Sequence, residues 1–351
     1  MKKISVVGIV GLPAAYGGFE SLVENLTRFA EVGMSYHVFC SSKQHSSDLK
    51  THNGASLEYI PLKANGVQSI LYDIVSIFKS IKAKPDVVLI LGVSGAIAIP
   101  LLKSFTRSKI ITNIDGLEWK REKWGKLARL FLKFSESFAV RYSDVVITDN
   151  QAISEYVMKE YTRTSTVIAY GGDHALLTDV DIDVNNEQPF YLTICRIEPE
   201  NNIHLVLEAF AGSVERIKFV GNWSSSSYGR SLVDEFGRYS NIELIEPIYD
   251  INKLYKLRMA CKGYIHGHSA GGTNPSLVEA MHFAKPVYAF DCNFNRYTTE
   301  NQALYFKDGM SLRKLLNVPL LDTEKMALAM KEIASRRYMW EIITRQYESL
   351  Y

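Results

Sequence analysis

The chain has 351 residues, 47% of them hydrophobic and 22% charged, with a net charge of +2. That length and apolar share suit two globular domains of ordinary size, and the near-neutral balance argues against nucleic acid as a partner. The cysteines Cys40, Cys195, Cys261 and Cys292 are widely spaced and form no C-x-x-C pair, so reduced buried thiols in a cytosolic protein are expected.

The opening MKKISVVGIVG is a short apolar run broken by glycine. It reads as a first strand over 3–10 and not as a signal peptide. A glycine loop, Gly11 to Gly18, leads into a helix from Phe19 to Glu31 with Leu22, Val23, Leu26 and Phe29 at helical spacing. Strand, glycine loop and helix open a Rossmann-like unit. The loop lacks the G-x-G-x-x-G spacing, and no acidic residue ends the next strand, Tyr36 to Cys40, so a dinucleotide cofactor is not expected.

Further strands are expected at Leu57–Pro61, Val87–Leu91, Lys109–Ile114 and Val145–Thr148, with helical patterns between several of them. The apolar run Val87 to Leu102 is too short for a membrane span and is broken by Gly92, Gly95 and Pro100. A polar stretch, Thr178 to Gln188, reads as a linker. A second alternation follows it. Strands are expected at Phe190–Cys195, Ile217–Val220, Ile242–Leu244, Gly263–His266 and Pro286–Ala289. Helices are expected at Ile203–Phe210, Ser231–Tyr239, Ile251–Met259 and Pro275–Phe283. The predicted fold is therefore α/β, with mostly parallel sheets covered on both faces and ligands at the strand-end loops. The expected domains are 1–172, 173–330 and a C-terminal helical segment 331–351 that packs back across the junction.

The most informative stretch is His266 to Met281, HGHSAGGTNPSLVEAM. Gly271 and Gly272 let the backbone approach a ligand. Thr273, Asn274 and Ser276 are N-cap types, and Pro275 suits the first helical position. A helix starting there would turn its N–H groups towards a phosphate, with Glu279 near a sugar or ribose hydroxyl. An ordinary strand-to-helix turn explains the same residues.

Four segments together resemble a known family: GLPAAYGGFESLVENL (11–26), NIDGLEWKREKWGK (113–126), CRIEPENNIHLVLEAF (195–210) and HGHSAGGTNPSLVEAM (266–281). The chain resembles the GT-B glycosyltransferases of the large retaining family that includes sucrose and glycogen synthases. More narrowly, it is similar to the bacterial rhamnosyltransferases of capsule and O-antigen synthesis. The resemblance implies a GT-B fold, two Rossmann-like domains facing a cleft, with the acceptor on the first and a nucleotide-sugar on the second. Two positions depart from the broader pattern. Gly271 stands where a glutamate is common, and the usual arginine–lysine pair is Arg196 with Asn201. Both departures are shared with the rhamnosyltransferase-like subgroup.

The resemblance implies a donor site of Gly17, Gly18, Arg196, Asn201, His268, Gly271, Gly272, Thr273, Asn274 and Glu279. Arg196 suits a bidentate contact with phosphate, against the plainer reading of a surface salt bridge. Glu279 is expected on the ribose hydroxyls, although a helix-dipole carboxylate is the simpler alternative. Asp115 and Glu118 compete to orient the acceptor, with Arg196 as the third catalytic candidate. An Asx turn before Gly116 explains Asp115 nearly as well. His266 and His268 lack a third ligand, and no metal or other cofactor is expected.

Lys120, Arg121, Lys123, Trp124 and Lys126 open a basic, aromatic-rich segment running to Arg141, which reads as an amphipathic helix on a membrane surface. A solvated basic face is the alternative. The implied activity moves L-rhamnose from dTDP-β-L-rhamnose to a lipid-linked saccharide, on undecaprenyl diphosphate, with retention of configuration. The implied place is cytoplasmic, peripheral on the inner face of the cytoplasmic membrane. A UDP- or GDP-activated hexose donor, or a non-catalytic nucleotide-sugar-binding protein, are the rival readings.

Overall fold

The computed structural model describes residues 1–15, 17–45, 49–120, 124–178, 188–318 and 320–351, and of residues 320–322 the backbone alone. The chain forms two compact units, Met1–Tyr170 with Trp340–Tyr351, and Gly171–Met339. The linker expected at Thr178 to Gln188 falls almost wholly outside the described residues.

In the first unit the elements are β1 (Lys2–Val7), α1 (Gly18–Arg28), β2 (Met34–Ser41), β3 (Thr51–His52), β4 (Ala55–Ile60) and α2 (Gln68–Lys82). They continue as β5 (Val87–Leu91), α3 (Ile99–Phe105), β6 (Lys109–Asn113), α4 (Lys126–Tyr142), β7 (Val145–Thr148), α5 (Gln151–Tyr161) and β8 (Thr166–Val167). The sheet order is β3-β4-β2-β1-β5-β6-β7-β8, parallel except where β3 meets β4. Strand β1 is shorter than expected because Gly8 turns at φ +101°, where a Cβ would lie 2.0 Å from the Leu91 carbonyl oxygen. Leu22, Val23 and Leu26 of α1 pack on Ile4 and Val6 of β1 in one fully buried cluster, the outcome of the helical spacing.

The second unit contains β9 (Tyr191–Ile194), α6 (Ile203–Ala211), β10 (Ile217–Val220), α7 (Ser227–Phe236), β11 (Ile242–Ile245), α8 (Ile251–Ala260) and β12 (Gly263–His266). It closes with α9 (Pro275–Met281), β13 (Val287–Phe290), α10 (Asn293–Thr298), β14 (Leu304–Phe306), α11 (Gly309–Leu315) and α12 (Leu320–Arg337). Its sheet, β11-β10-β9-β12-β13-β14, is parallel at every pairing. Helix α7 begins four residues before the expected Ser231, because the Ser226 hydroxyl caps it by accepting the Gly229 N–H.

The last helix, α13 (Trp340–Ser349), belongs to the first unit. Trp340, Ile343 and Tyr347 are buried in the same cluster as β1 and α1. Each such side chain contributes roughly 1.5–3 kcal/mol of burial. No helix among the described residues is long and apolar enough to cross a membrane.

Candidate active site

In the second unit two neighbouring strands, β9 and β12, end in loops that are stitched together. The Asn202 amide donates to the Gly267 carbonyl at 2.9 Å, and the Ser269 N–H and hydroxyl both donate to the Glu200 carbonyl at 2.9 Å. Gly267 must be glycine, since a Cβ there would lie 2.1 Å from the Asn201 carbonyl oxygen. Arg196 leaves the end of β9 with its side chain 40% exposed and, among the described residues, one loose ion pair, to Glu198 at 3.5 Å. An exposed pair of that length is worth well under ~1 kcal/mol and gives way readily to an anion.

Asn201 is engaged by its neighbours on both sides. Its amide donates to the Arg196 carbonyl at 2.7 Å, and its oxygen accepts from His268 Nδ1, also at 2.7 Å. Asn201 therefore braces the Arg196 turn and fixes the His268 tautomer. The His266 ring is 6.0 Å from that of His268, and its Nε2 is buried with no hydrogen-bond partner among the described residues. Burial holds its pKa well below the usual value, so it is neutral. No group of three or more metal-ligating side chains occurs among the described residues.

The loop itself bends at Gly271, φ +102°, a conformation glycine adopts without cost. Gly272 and the buried Thr273 carry the chain to Asn274, whose side chain accepts the Ser276 N–H at 3.0 Å and the Ser276 hydroxyl at 2.8 Å. Asn274 is thus a helix cap, with Pro275 at the first helical position. Helix α9 has seven residues, too few for a large dipole.

Glu279 sits in α9 with both carboxylate oxygens occupied. Arg258 Nη2, from the last turn of α8, donates to Oε2, and His174 Nε2 lies 3.3 Å from Oε1. Burial pushes this carboxyl up, but Arg258 and His174 outweigh it and hold the pKa below the ordinary value. Neither partner was expected from the sequence. Arg258 lies on another helix, and His174 follows a Gly-Gly-Asp run more than eighty positions before it.

In the first unit, Gly17 caps α1 at φ +130°, and a Cβ there would lie 1.9 Å from the Glu20 carboxylate. Gly18 opens the helix, with only ordinary contact to the Tyr170 ring. The Gly11 to Gly18 loop is held by two α1 carboxylates. Glu20 accepts the Val10 N–H at 2.8 Å, and Glu24 accepts the Ala14 N–H at 3.0 Å. Asp115 follows β6 at φ +61° and donates its N–H to the Asn113 side-chain oxygen at 2.9 Å. The Asx turn expected here is made by Asn113, and Asp115 is the strained residue inside it. Glu118, in a 3₁₀ turn, accepts the Trp124 indole N–H at 2.9 Å.

Residues 178–337 match the family described as glycosyl transferases group 1, and residues 1–173 match a domain of unknown function, DUF1972. The second unit is a group 1 glycosyltransferase domain. Among solved structures, the chain is similar to sucrose-phosphate synthase from Thermosynechococcus elongatus. They are 17% identical with a TM-score of 0.82, covering 100% of this chain and 98% of that one. It is also similar to HepE of Anabaena in complex with UDP, at 18% identity and TM-score 0.75, covering 100% and 99%. A glycosyltransferase from Rickettsia africae matches at 14% and 0.73, covering 99% and 97%. At these identities the likeness establishes the fold, which is GT-B with two Rossmann-like domains. No curated protein matches the chain in sequence.

The basic segment of the glycosyltransferase is not one amphipathic helix. Arg121 and Lys123 lie outside the described residues. Lys120 ends the 3₁₀ turn over the Trp119 ring at 5.4 Å, and Lys126 begins α4. Lys133 is enclosed by the rings of Trp119, Tyr156 and Tyr161 at 4.8, 4.7 and 5.1 Å, and pairs with Glu160 at 2.9 Å. It is a half-buried brace between α4 and α5. The outward face of α4 is instead apolar: Leu127 is 84% exposed, Leu130 68% and Phe134 55%. Leu101 and Phe105, on the adjoining α3, are 51% and 64% exposed. Exposed apolar side chains at helical spacing on two packed helices, beside Lys126 and Arg129, are a surface built for contact.

Proposed function

We propose that the chain is a retaining rhamnosyltransferase. It would transfer L-rhamnose from dTDP-β-L-rhamnose to a saccharide on undecaprenyl diphosphate, at the inner face of the cytoplasmic membrane, in capsule or O-antigen synthesis. The observation that carries the reading is the group 1 domain over residues 178–337, in which Asn201 joins the Arg196 turn to His268 of the Gly267–Asn274 loop. The sequence resemblance to rhamnosyltransferases supplies the sugar, and a 6-deoxy sugar suits Gly271 where a carboxylate is common.

In this reading Arg196 and the loop amides stabilise the departing diphosphate, which is where charge develops. Glu279 accepts from the nucleotide's sugar. The acceptor hydroxyl attacks the anomeric carbon as the bond to phosphate breaks, and its proton passes to the leaving phosphate oxygen. Asp115 orients that hydroxyl, and Glu118 with Trp124 shapes its surroundings. No metal takes part. The apolar face of α3 and α4, flanked by Lys126 and Arg129, rests on the anionic lipid that carries the acceptor.

A UDP-hexose donor is the second reading, supported by the HepE complex with UDP-glucose. Calorimetry with dTDP, UDP, GDP and NAD, without added metal, separates the readings. Preference for dTDP supports rhamnosyl transfer, preference for UDP or GDP replaces the sugar, and NAD binding alone removes glycosyl transfer. Arg196→Ala is expected to weaken diphosphate binding at least tenfold, the worth of a charge-assisted bidentate contact of about 1.5–3 kcal/mol.

A further inference from the structure

The covered faces of parallel sheets are normally filled by branched apolar side chains. In the first unit one face follows that rule, with Ile4 and Val6 of β1 buried against Leu22 and Leu26 of α1. The opposite face of the same strands does not. Ser5 of β1, His37 of β2 and Ser56 of β4 stand side by side in register, and Lys3 shares their face two residues before Ser5. This polar row lines a cavity of about 240 Å³, together with Ala83 at the end of α2 and Pro85. One water needs roughly 10–15 Å³ and drug-sized ligands roughly 300 Å³ or more, so the space suits a single sugar ring and not a nucleotide.

Two polar atoms of the row are buried without a hydrogen-bond partner among the described residues. They are Ser5 Oγ, on a residue 1% exposed, and His37 Nδ1. Such atoms cost stability unless something meets them. His37 Nε2 lies 3.4 Å from Glu58 Oε2, and Lys79 holds Glu58 at 2.7 Å. Burial, the largest influence on His37, lowers its pKa, so the ring is neutral. With the proton on Nε2, where Glu58 accepts it, Nδ1 is left as an acceptor. An acceptor nitrogen beside serine hydroxyls suits a ligand that offers hydroxyl groups. A phosphate would meet that acceptor with Glu58 behind it, and the one cation of the lining, Lys3, is exposed to water. No group of three metal-ligating side chains occurs among the described residues.

We propose that this cavity is a saccharide site that takes one neutral monosaccharide unit. The sugar's hydroxyl groups meet Ser5 Oγ, His37 Nδ1 and Ser56, and its C–H face lies on Ala83 and Pro85. The site stands at the starts of the strands, whereas Asp115 and Glu118 follow the end of β6. It is therefore separate from the proposed reaction site and does not depend on that reading.

Nuclear magnetic resonance of the full-length chain, labelled with nitrogen-15 in its histidines, reads the site directly. The His37 signals are identified by their loss in His37→Gln. Titration with L-rhamnose or D-glucose is expected to move the His37 Nδ1 resonance with a Kd on the order of 1 mM, the scale for so small a ligand. Inorganic phosphate is expected to leave it in place. Ser5→Ala, and Ser56→Ala at an exposed position, are each expected to weaken the sugar by about fivefold, the worth of one net hydrogen bond. Thermal melts confirm that each variant is folded. A resonance moved by neither sugar shows a cavity that holds water only and overturns the proposal. A response to phosphate as strong as that to sugar, or a sugar affinity unmoved in both variants, overturns it as well.

Discussion

The side-chain oxygen of Asn113 accepts the backbone N–H of Asp115 at 2.9 Å and holds Asp115 at φ +61°. Asn113 is itself held, since its amide donates to the Tyr347 hydroxyl at 2.7 Å. A residue near the C-terminus thus sets the backbone of a catalytic candidate more than two hundred positions earlier in the chain.

The strain at Asp115 gives an ordered pair of outcomes. Asp115→Gly is expected to stay within about 1 kcal/mol of wild-type stability, whereas β-branched Asp115→Val at positive φ costs about 2 kcal/mol. Both are expected to lose transfer activity by roughly a hundredfold or more, the scale of a positioned acid–base group. Urea unfolding and a transfer assay read the two effects. A glycine variant less stable than the valine variant would remove the strain account.

Glu20 predicts a pH dependence. Burial, the largest cause, and the neighbouring Asp115 raise its pKa above the model-peptide 4.5, against the opposing Val10 N–H. A raised carboxyl pKa contributes stability that is full below 4.5 and is lost as pH climbs through the folded value. Glu20→Gln is neutral throughout and should escape that loss. The stability difference between the variant and wild type is therefore expected to move in the variant's favour from pH 4 to pH 7, measured by urea unfolding at each pH.

The Arg258–Glu279 pair is mostly buried, so removing one partner strands the other. Arg258→Met is expected to cost about 3 kcal/mol, and adding Glu279→Gln to recover more than half of it. A double-mutant cycle in urea measures the coupling, and a cost under about 1 kcal/mol for Arg258→Met would show that the pair does not brace α9.

The apolar face of α3 and α4 predicts membrane binding driven by insertion. Leu127→Glu with Phe134→Glu is expected to reduce sedimentation with anionic phospholipid vesicles by more than tenfold, since each side chain contributes roughly 1.5–3 kcal/mol when buried. Calorimetric nucleotide affinity should be unchanged. Vesicle binding that survives the double substitution would assign the face to another contact.

Much of the fold was legible along the chain. Leu22, Val23 and Leu26 mark α1, and Asn274-Pro275 marks the start of α9, because helical spacing and capping act between residues a few positions apart. The glycine turns at Gly17 and Gly271 were visible for the same reason. The partners of Asn201, His268 and Lys133 were not legible, because sequence shows residue type and not what a side chain meets.

Those meetings are made by the sheets. Parallel pairing of β9 with β12 brings Asn201 to His268, the register of β6 with its neighbours places Asn113 under Tyr347, and the packing of α8 and the Asp173–Ala175 turn on α9 closes both sides of Glu279. Local periodicity and turn chemistry determined which elements form. Only tertiary structure decided the partners of the charged and polar side chains, since hydrogen bonds and ion pairs depend on distance in space, which a linear pattern does not record.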